Sequence, residues 1–230
     1  MGSQTSSLLN IQEQGYELAY RLAYGQLVGM DMQEVCRKTG SQYIVGRSQV
    51  TKQPVAKIVV QYIGQPYVVA LPDGEISLEN SGEQVPLRDK ILILHYLTLA
   101  KGTPATNKLI TFRQLPGCAS YLPVFHQLAI EPLLNRFGKE PELLIKAAEK
   151  LGGQKANYGD VSVTINAFSH VPVTIALWRG DDEFAPRASI MLDSSISDYL
   201  SAEDIRELCT IIARKLVKNV PSSLRINTRL

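Results

Sequence analysis

Apolar and polar residues change period several times along this chain, and each change marks an element. Residues 6–28 set Leu8, Ile11, Leu18 and Leu22 at three- and four-residue spacings, which predicts an amphipathic helix. A short helix over 31–38 follows and stops at Thr39-Gly40, as a glycine C-cap requires. The period then falls to two. Val55–Tyr62 and Tyr67–Leu71 read as strands joined at Gly64-Gln65-Pro66, and Pro72-Asp73-Gly74 turns the chain into a short strand over 75–78. Pro86 opens a helix to about Ala100, whose Ile91, Leu92, Ile93, Leu94 and Leu97 leave little polar face, so it belongs in the interior. Further on, Leu109–Gln114 reads as strand, and 121–137 and 141–151 as helices closed by Gly138 and Gly152-Gly153. Residues 162–168, 172–178 and 188–192 read as strands, and a last helix, 201–218, begins with Ser201 and Asp204 near capping-box spacing.

Hairpins without alternating βα units predict an α+β fold: an antiparallel sheet built from two hairpin or meander units, with helices packed on it. The length, 230 residues, suits one globular domain over 1–230. Within it, Pro66–Leu71 aligns with Pro172–Leu177, each hairpin leads into an acidic turn, and the next helix carries Asp89 or Asp204 in its first turn. Segments 6–100 and 109–218 therefore read as pseudo-repeats sharing one sheet, set against chance likeness between alternating strands.

Composition narrows the function classes. An apolar content of 45% argues against disorder, and a net charge of +2 gives no field for holding nucleic acid. Arg214, Lys215 and Lys218, with Arg225 and Arg229, read as a solvated helix face and tail. Three cysteines, Cys36, Cys118 and Cys209, lie far apart with no CxxC, which fits reduced, buried thiols and a cytoplasmic location. No apolar run approaches the ~18 residues of a membrane span, and no secretion signal is legible.

Candidate chemistry concentrates in Trp178-Arg179-Gly180-Asp181-Asp182-Glu183, where acid gathers at a turn beside the only tryptophan. Asp182 and Glu183, with Asp193 on the next strand, supply oxygen ligands for a hard cation or a cationic group. A Gly-Asp hairpin tip is also an ordinary solvated turn, the preferred reading of Asp181. Trp178 stacks on a ligand or forms the edge of the core. Arg113 clamps a carboxylate or phosphate, or forms an ion pair with Asp160. His95, His126 and His170 share no metal-ligand spacing, and Cys118 is the only plausible nucleophilic thiol. No Walker loop, GxGxxG, GxSxG or HExxH is present.

The chain resembles the domain-of-unknown-function family 3786 of anaerobic bacteria and archaea. The resemblance rests on Pro72-Asp73-Gly74-Glu75, Ile91–Leu97 with His95 and Tyr96, Ile110–Arg113, Pro132-Leu133-Leu134 with Phe137-Gly138, and Leu151-Gly152-Gly153. It continues through Gly159-Asp160, Val171-Pro172-Val173, Leu177-Trp178 with Gly180–Phe184, Met191-Leu192-Asp193, Tyr199-Leu200 and Glu203-Asp204. The resemblance implies that similar domains often occur joined to a small cysteine-rich iron–sulfur module, in organisms using anaerobic one-carbon and corrinoid chemistry. This chain lacks that cysteine cluster, so the resemblance implies a separate iron–sulfur partner protein. Three functions remain open: a cytoplasmic module binding a small molecule or a metabolic partner, an enzyme using Asp160, Glu183 and Asp193 for acid–base or metal-assisted chemistry, or a scaffold. Whichever holds, the expected site is on the C-terminal half, with Arg113 its outside contributor.

Overall fold

Where helices begin and stop determines much of the architecture. The computed structural model describes residues 2–47, 54–79 and 81–220; Arg225 and Arg229 lie outside them. The chain divides into two compact units, Met1–Tyr62 with Pro66–Thr103, and Ile63–Gln65 with Pro104–Leu230. Among the described residues, no helix is long and apolar enough to cross a membrane.

In the first unit α1 (Gly2–Val28) leads to α2 (Met32–Thr39). Asp31 caps α2 by accepting the Gln33 and Glu34 amides, and Gly40 ends it at φ 63°, a left-handed conformation that penalises any residue with a Cβ. Four strands follow, β1 (Gln42–Arg47), β2 (Pro54–Tyr62), β3 (Gln65–Leu71) and β4 (Ile76–Leu78), hydrogen-bonded in that order as an antiparallel meander. The β2–β3 turn lies at Ile63 and Gly64, both with positive φ, the geometry of a two-residue type I′ hairpin. The turn therefore comes one residue before the expected position, and Pro66 lies inside β3. Pro86 is the N-cap of α3 (Leu87–Leu99) rather than its first residue. α3 is buried nearly all round, as its composition predicts, and packs against α1 and α2. The Tyr96 hydroxyl donates to the Thr39 carbonyl at 2.8 Å.

The second unit adds β5 (Leu109–Thr111) and then runs α4 (Leu122–Phe125), a π-helical turn over His126–Ile130, α5 (Glu131–Phe137) and α6 (Leu143–Glu149). A second meander follows, β6 (Gln154–Ala156), β7 (Val161–Phe168), β8 (Val171–Trp178) and β9 (Arg187–Asp193), before α7 (Ala202–Asn219). The sheet order is β5-β9-β8-β7-β6, antiparallel throughout. β8 is central and buried along most of its length, with Thr174 sharing a 2.8 Å hydroxyl hydrogen bond with Thr164 opposite. At the start of α7, Ser201 and Asp204 cap each other reciprocally, as their spacing predicts. α7 packs on α5, α6 and the π turn, while α6 lies over β7.

The α+β class with antiparallel sheets is thus observed, but the strands form two sheets instead of one. Each meander closes on itself because its connections are too short to carry a strand elsewhere. The first unit runs helix, short helix, four-strand meander, helix; the second also ends in a four-strand meander and a helix, but opens with β5 and several short helical segments. Pro66–Leu71 falls in the third strand of the first meander and Pro172–Leu177 in the third of the second. Asp89 and Asp204 both occupy the third position of the following helix, and both are buried.

Candidate functional site

The second unit holds most of the candidate residues, divided among three places. The β8–β9 connection, residues 179–186, borders an open cleft of about 610 Å3 together with Gly138 and Lys139. Its shape follows from Asp181. That carboxylate accepts the amides of Glu183 at 2.9 Å and Phe184 at 2.7 Å, while the Asp181 amide donates to the Phe184 carbonyl. This is a self-closed aspartate turn. Asp182 and Glu183 are exposed on it, and Phe184 projects with 68% of its surface open.

Asp160 steadies the root of the same loop. Its carboxylate accepts the Arg179 amide at 2.7 Å, in place of the expected pair with Arg113, while the Arg179 guanidinium pairs with Glu142. Trp178 is half-buried at the strand end. Gly159, at φ 57°, lies so close beneath it that a Cβ would come within 3.1 Å of the indole, and the Arg187 guanidinium stands 5.6 Å from the ring centroid. The core-edge reading of Trp178 describes this packing, and the turn reading describes Asp181.

Asp193 lies at the far end of β9, six residues beyond Arg187, or about 20 Å along an extended strand. It is 3% exposed and accepts five hydrogen bonds, from Thr106 Oγ1 and its amide, the Asn107 amide, and Ser195 Oγ and its amide. Burial opposes its ionisation, but the Ser195 and Thr106 donors outweigh burial and hold the carboxyl at about 2. Asp193 therefore fastens residues 106–107 to the start of a 3-10 turn over Ser194–Asp198. The convergence of Asp160, Glu183 and Asp193 that the enzymatic reading requires does not occur, because the length of β9 separates Asp193 from the loop end where Asp160 and Glu183 lie. Among the described residues, no three His, Cys, Asp or Glu side chains group to hold a metal ion.

Arg113 occupies the third place. The expected strand over Leu109–Gln114 ends at Thr111, and a 3-10 turn, Phe112–Gln114, turns Phe112 inward and leaves Arg113 exposed. Phe112 stacks on Phe125 of α4, ring centroids 4.1 Å apart and planes within 2°. A hollow of about 410 Å3 is lined by this pair, by Arg113, His126 and Ile130, and by Ala188–Ile190 of β9.

The π turn explains why His126 takes part. Pro132 has no amide to donate to the carbonyl four residues back, and its ring crowds that carbonyl. One extra residue per turn relieves both faults, and the Glu131 amide donates to the carbonyl of His126, five residues back. On an ordinary α-helix residues five apart diverge by about 140°. Here they align, and His126 Nδ1 lies 3.2 Å from Glu131 Oε1. Sequence reasoning read 121–137 as an unbroken helix and so missed Phe125, His126 and Ile130 as neighbours of Arg113. The available signal was Pro132 in a helix interior.

None of the three thiols lines the cleft or the hollow. Cys36, Cys118 and Cys209 are buried and unpaired. Burial pushes the Cys36 thiol up to about 11 and Cys118 upward, and burial reinforced by Cys118 pushes Cys209 to about 12. Cys118 is therefore poorly placed as a nucleophile.

The family model described as Domain of unknown function (DUF3786) matches residues 31–215, and the chain belongs to that family. No curated protein and no solved structure matches it.

Proposed function

We propose that this member of the DUF3786 family is a cytoplasmic binding module whose site is the hollow over the Phe112–Phe125 pair. Its ligand is a small molecule joining an apolar body to a carboxylate or phosphate. The observation that carries the reading is the stacked aromatic pair with a cationic fork at its rim, Arg113. Apolar walls with a few placed polar groups are the usual composition of a ligand pocket, and about 410 Å3 lies within the usual range. A planar guanidinium recognises carboxylate and phosphate in two-point fashion. His126, oriented by Glu131, supplies a second donor at the same rim. The β8–β9 cleft is larger, but its Arg179 and Asp181, with Asp160 at the loop root, are engaged in building the loop, which favours the smaller hollow. Three buried, unpaired thiols support the cytoplasmic setting. They offer no cluster ligand set, so an iron–sulfur partner of the kind the resemblance implies would be a separate protein.

A thermal-shift screen of fatty, aromatic and phosphorylated acids tests the reading, followed by calorimetry on any hit. The expected result is saturable binding that Arg113→Ala weakens about tenfold or more without lowering the melting temperature. Saturable binding that is indifferent to Arg113→Ala, or a complete screen without a hit, removes the support for this site.

A further inference from the structure

Where α5 meets α7 there is a second hollow, of about 400 Å3, lined by Pro132, Arg136, Arg214, Val217 and Lys218. It shares no lining residue with the hollow over Phe112 and Phe125 or with the β8–β9 cleft. Its walls follow from helical spacing. Pro132 and Arg136 stand one turn apart on α5, and Arg214 and Lys218 one turn apart on α7, so each helix turns one such pair toward the gap. Three of the five side chains are cationic and two are apolar, and among the described residues no carboxylate lines the hollow. Like charges one turn apart on a helix weaken it. Elsewhere surface cations are set against acid: Arg37 against Glu34, Lys57 against Glu79, Arg179 against Glu142. Among the described residues, neither Arg214 nor Lys218 forms an ion pair.

The helix ends account for only part of this charge. Arg136 and Lys218 stand in the last turns of α5 and α7, where each helix dipole supplies about half a negative charge. Three cations against about one unit of negative dipole leave an excess of about +2 at one place. The whole chain carries no more than that, +2, so the hollow is not a sample of a generally basic surface. A solvated face of α7 describes Arg214 and Lys218, but it does not explain Arg136, which arrives half-buried from another helix. We propose that this hollow binds a small molecule through a diphosphate group. Two guanidinium forks that each take a pair of oxygens call for four acceptors, with the Lys218 ammonium beside them. A phosphate monoester offers three such oxygens, and a diphosphate group offers more. No aromatic side chain lines the hollow among the described residues, so a nucleobase finds no stacking surface and the recognised part is the diphosphate itself. Arg113 takes no part in it.

Calorimetric titration of the full chain with inorganic pyrophosphate tests the proposal, at a fixed physiological ionic strength that screens non-specific attraction. One saturable site per chain is expected, with orthophosphate bound about tenfold or more weakly. Arg214→Gln and Lys218→Gln should each weaken pyrophosphate binding about tenfold or more, and the double variant should abolish it. Both side chains are exposed, so the far-ultraviolet circular dichroism spectrum should not change. Arg113→Ala should leave pyrophosphate binding as it is. A chain that does not bind pyrophosphate overturns the proposal, as does binding that survives the double variant or is matched by orthophosphate. Binding lost in Arg113→Ala would also overturn it and assign the anion to the hollow over Phe112. Binding to phosphatidylserine vesicles through Arg214 and Lys218, by a chain indifferent to pyrophosphate, would overturn it too and assign the cations to a membrane surface.

Discussion

Asp193 shows how a residue chosen for chemistry can instead serve construction. Its five hydrogen-bond donors favour the ionised carboxyl, which titrates at about 2 in the folded chain against an ordinary 3.8. The unfolded chain therefore takes up that proton more readily than the folded one. The stabilisation is fully present above pH 3.8 and is lost as pH falls through about 2. Urea midpoints measured across this window should fall steeply for the wild type and less steeply for Asp193→Asn. At neutral pH, Asp193→Ala should cost ~3 kcal/mol, because it leaves several buried donors without their charged acceptor. Equal slopes in wild type and variant would mean that Asp193 does not carry the acid sensitivity.

Among the elements, the helix from Leu122 to Phe137 couples sequence to site most directly. Pro132→Ala restores the missing amide, so the helix can close in α register and carry Glu131 away from His126. The expected outcome is an unchanged or higher melting temperature, a shifted imidazole nitrogen resonance at His126, and weaker binding in the hollow. An unchanged resonance would show that the π turn has another cause. Sequence periodicity located nearly all the long elements, because their burial alternates in ways the residue types record. It missed β1, whose six residues are all exposed and so follow no inside–outside rhythm. It missed β6 because that strand is only three residues long, and the Ser194–Asp198 turn because it is short and tied to residues 106–108, distant in sequence. The site was legible only in parts. Arg113 and the hairpin residues stood out by type, but nothing local shows that β9 separates Glu183 from Asp193, or that Phe125 stacks on Phe112.

At the scale of the molecule, the two sheets should differ in how readily they open. β8 is central and buried along most of its length, whereas β1 is an exposed edge strand. Native-state hydrogen exchange should find the slowest amides in β7 and β8 and rapid exchange in β1. Comparable protection in β1 would point to a partner strand on its free edge. The buried thiols have a consequence of their own. Cys36 reports on the first unit, and Cys118 and Cys209 on the second. Each is shielded from solvent and held protonated at neutral pH, so an alkylating reagent finds nothing to attack until the surrounding unit opens. Reagent uptake, counted by mass, thus becomes a clock with two hands, and it tells whether the halves of the chain come apart together or in turn.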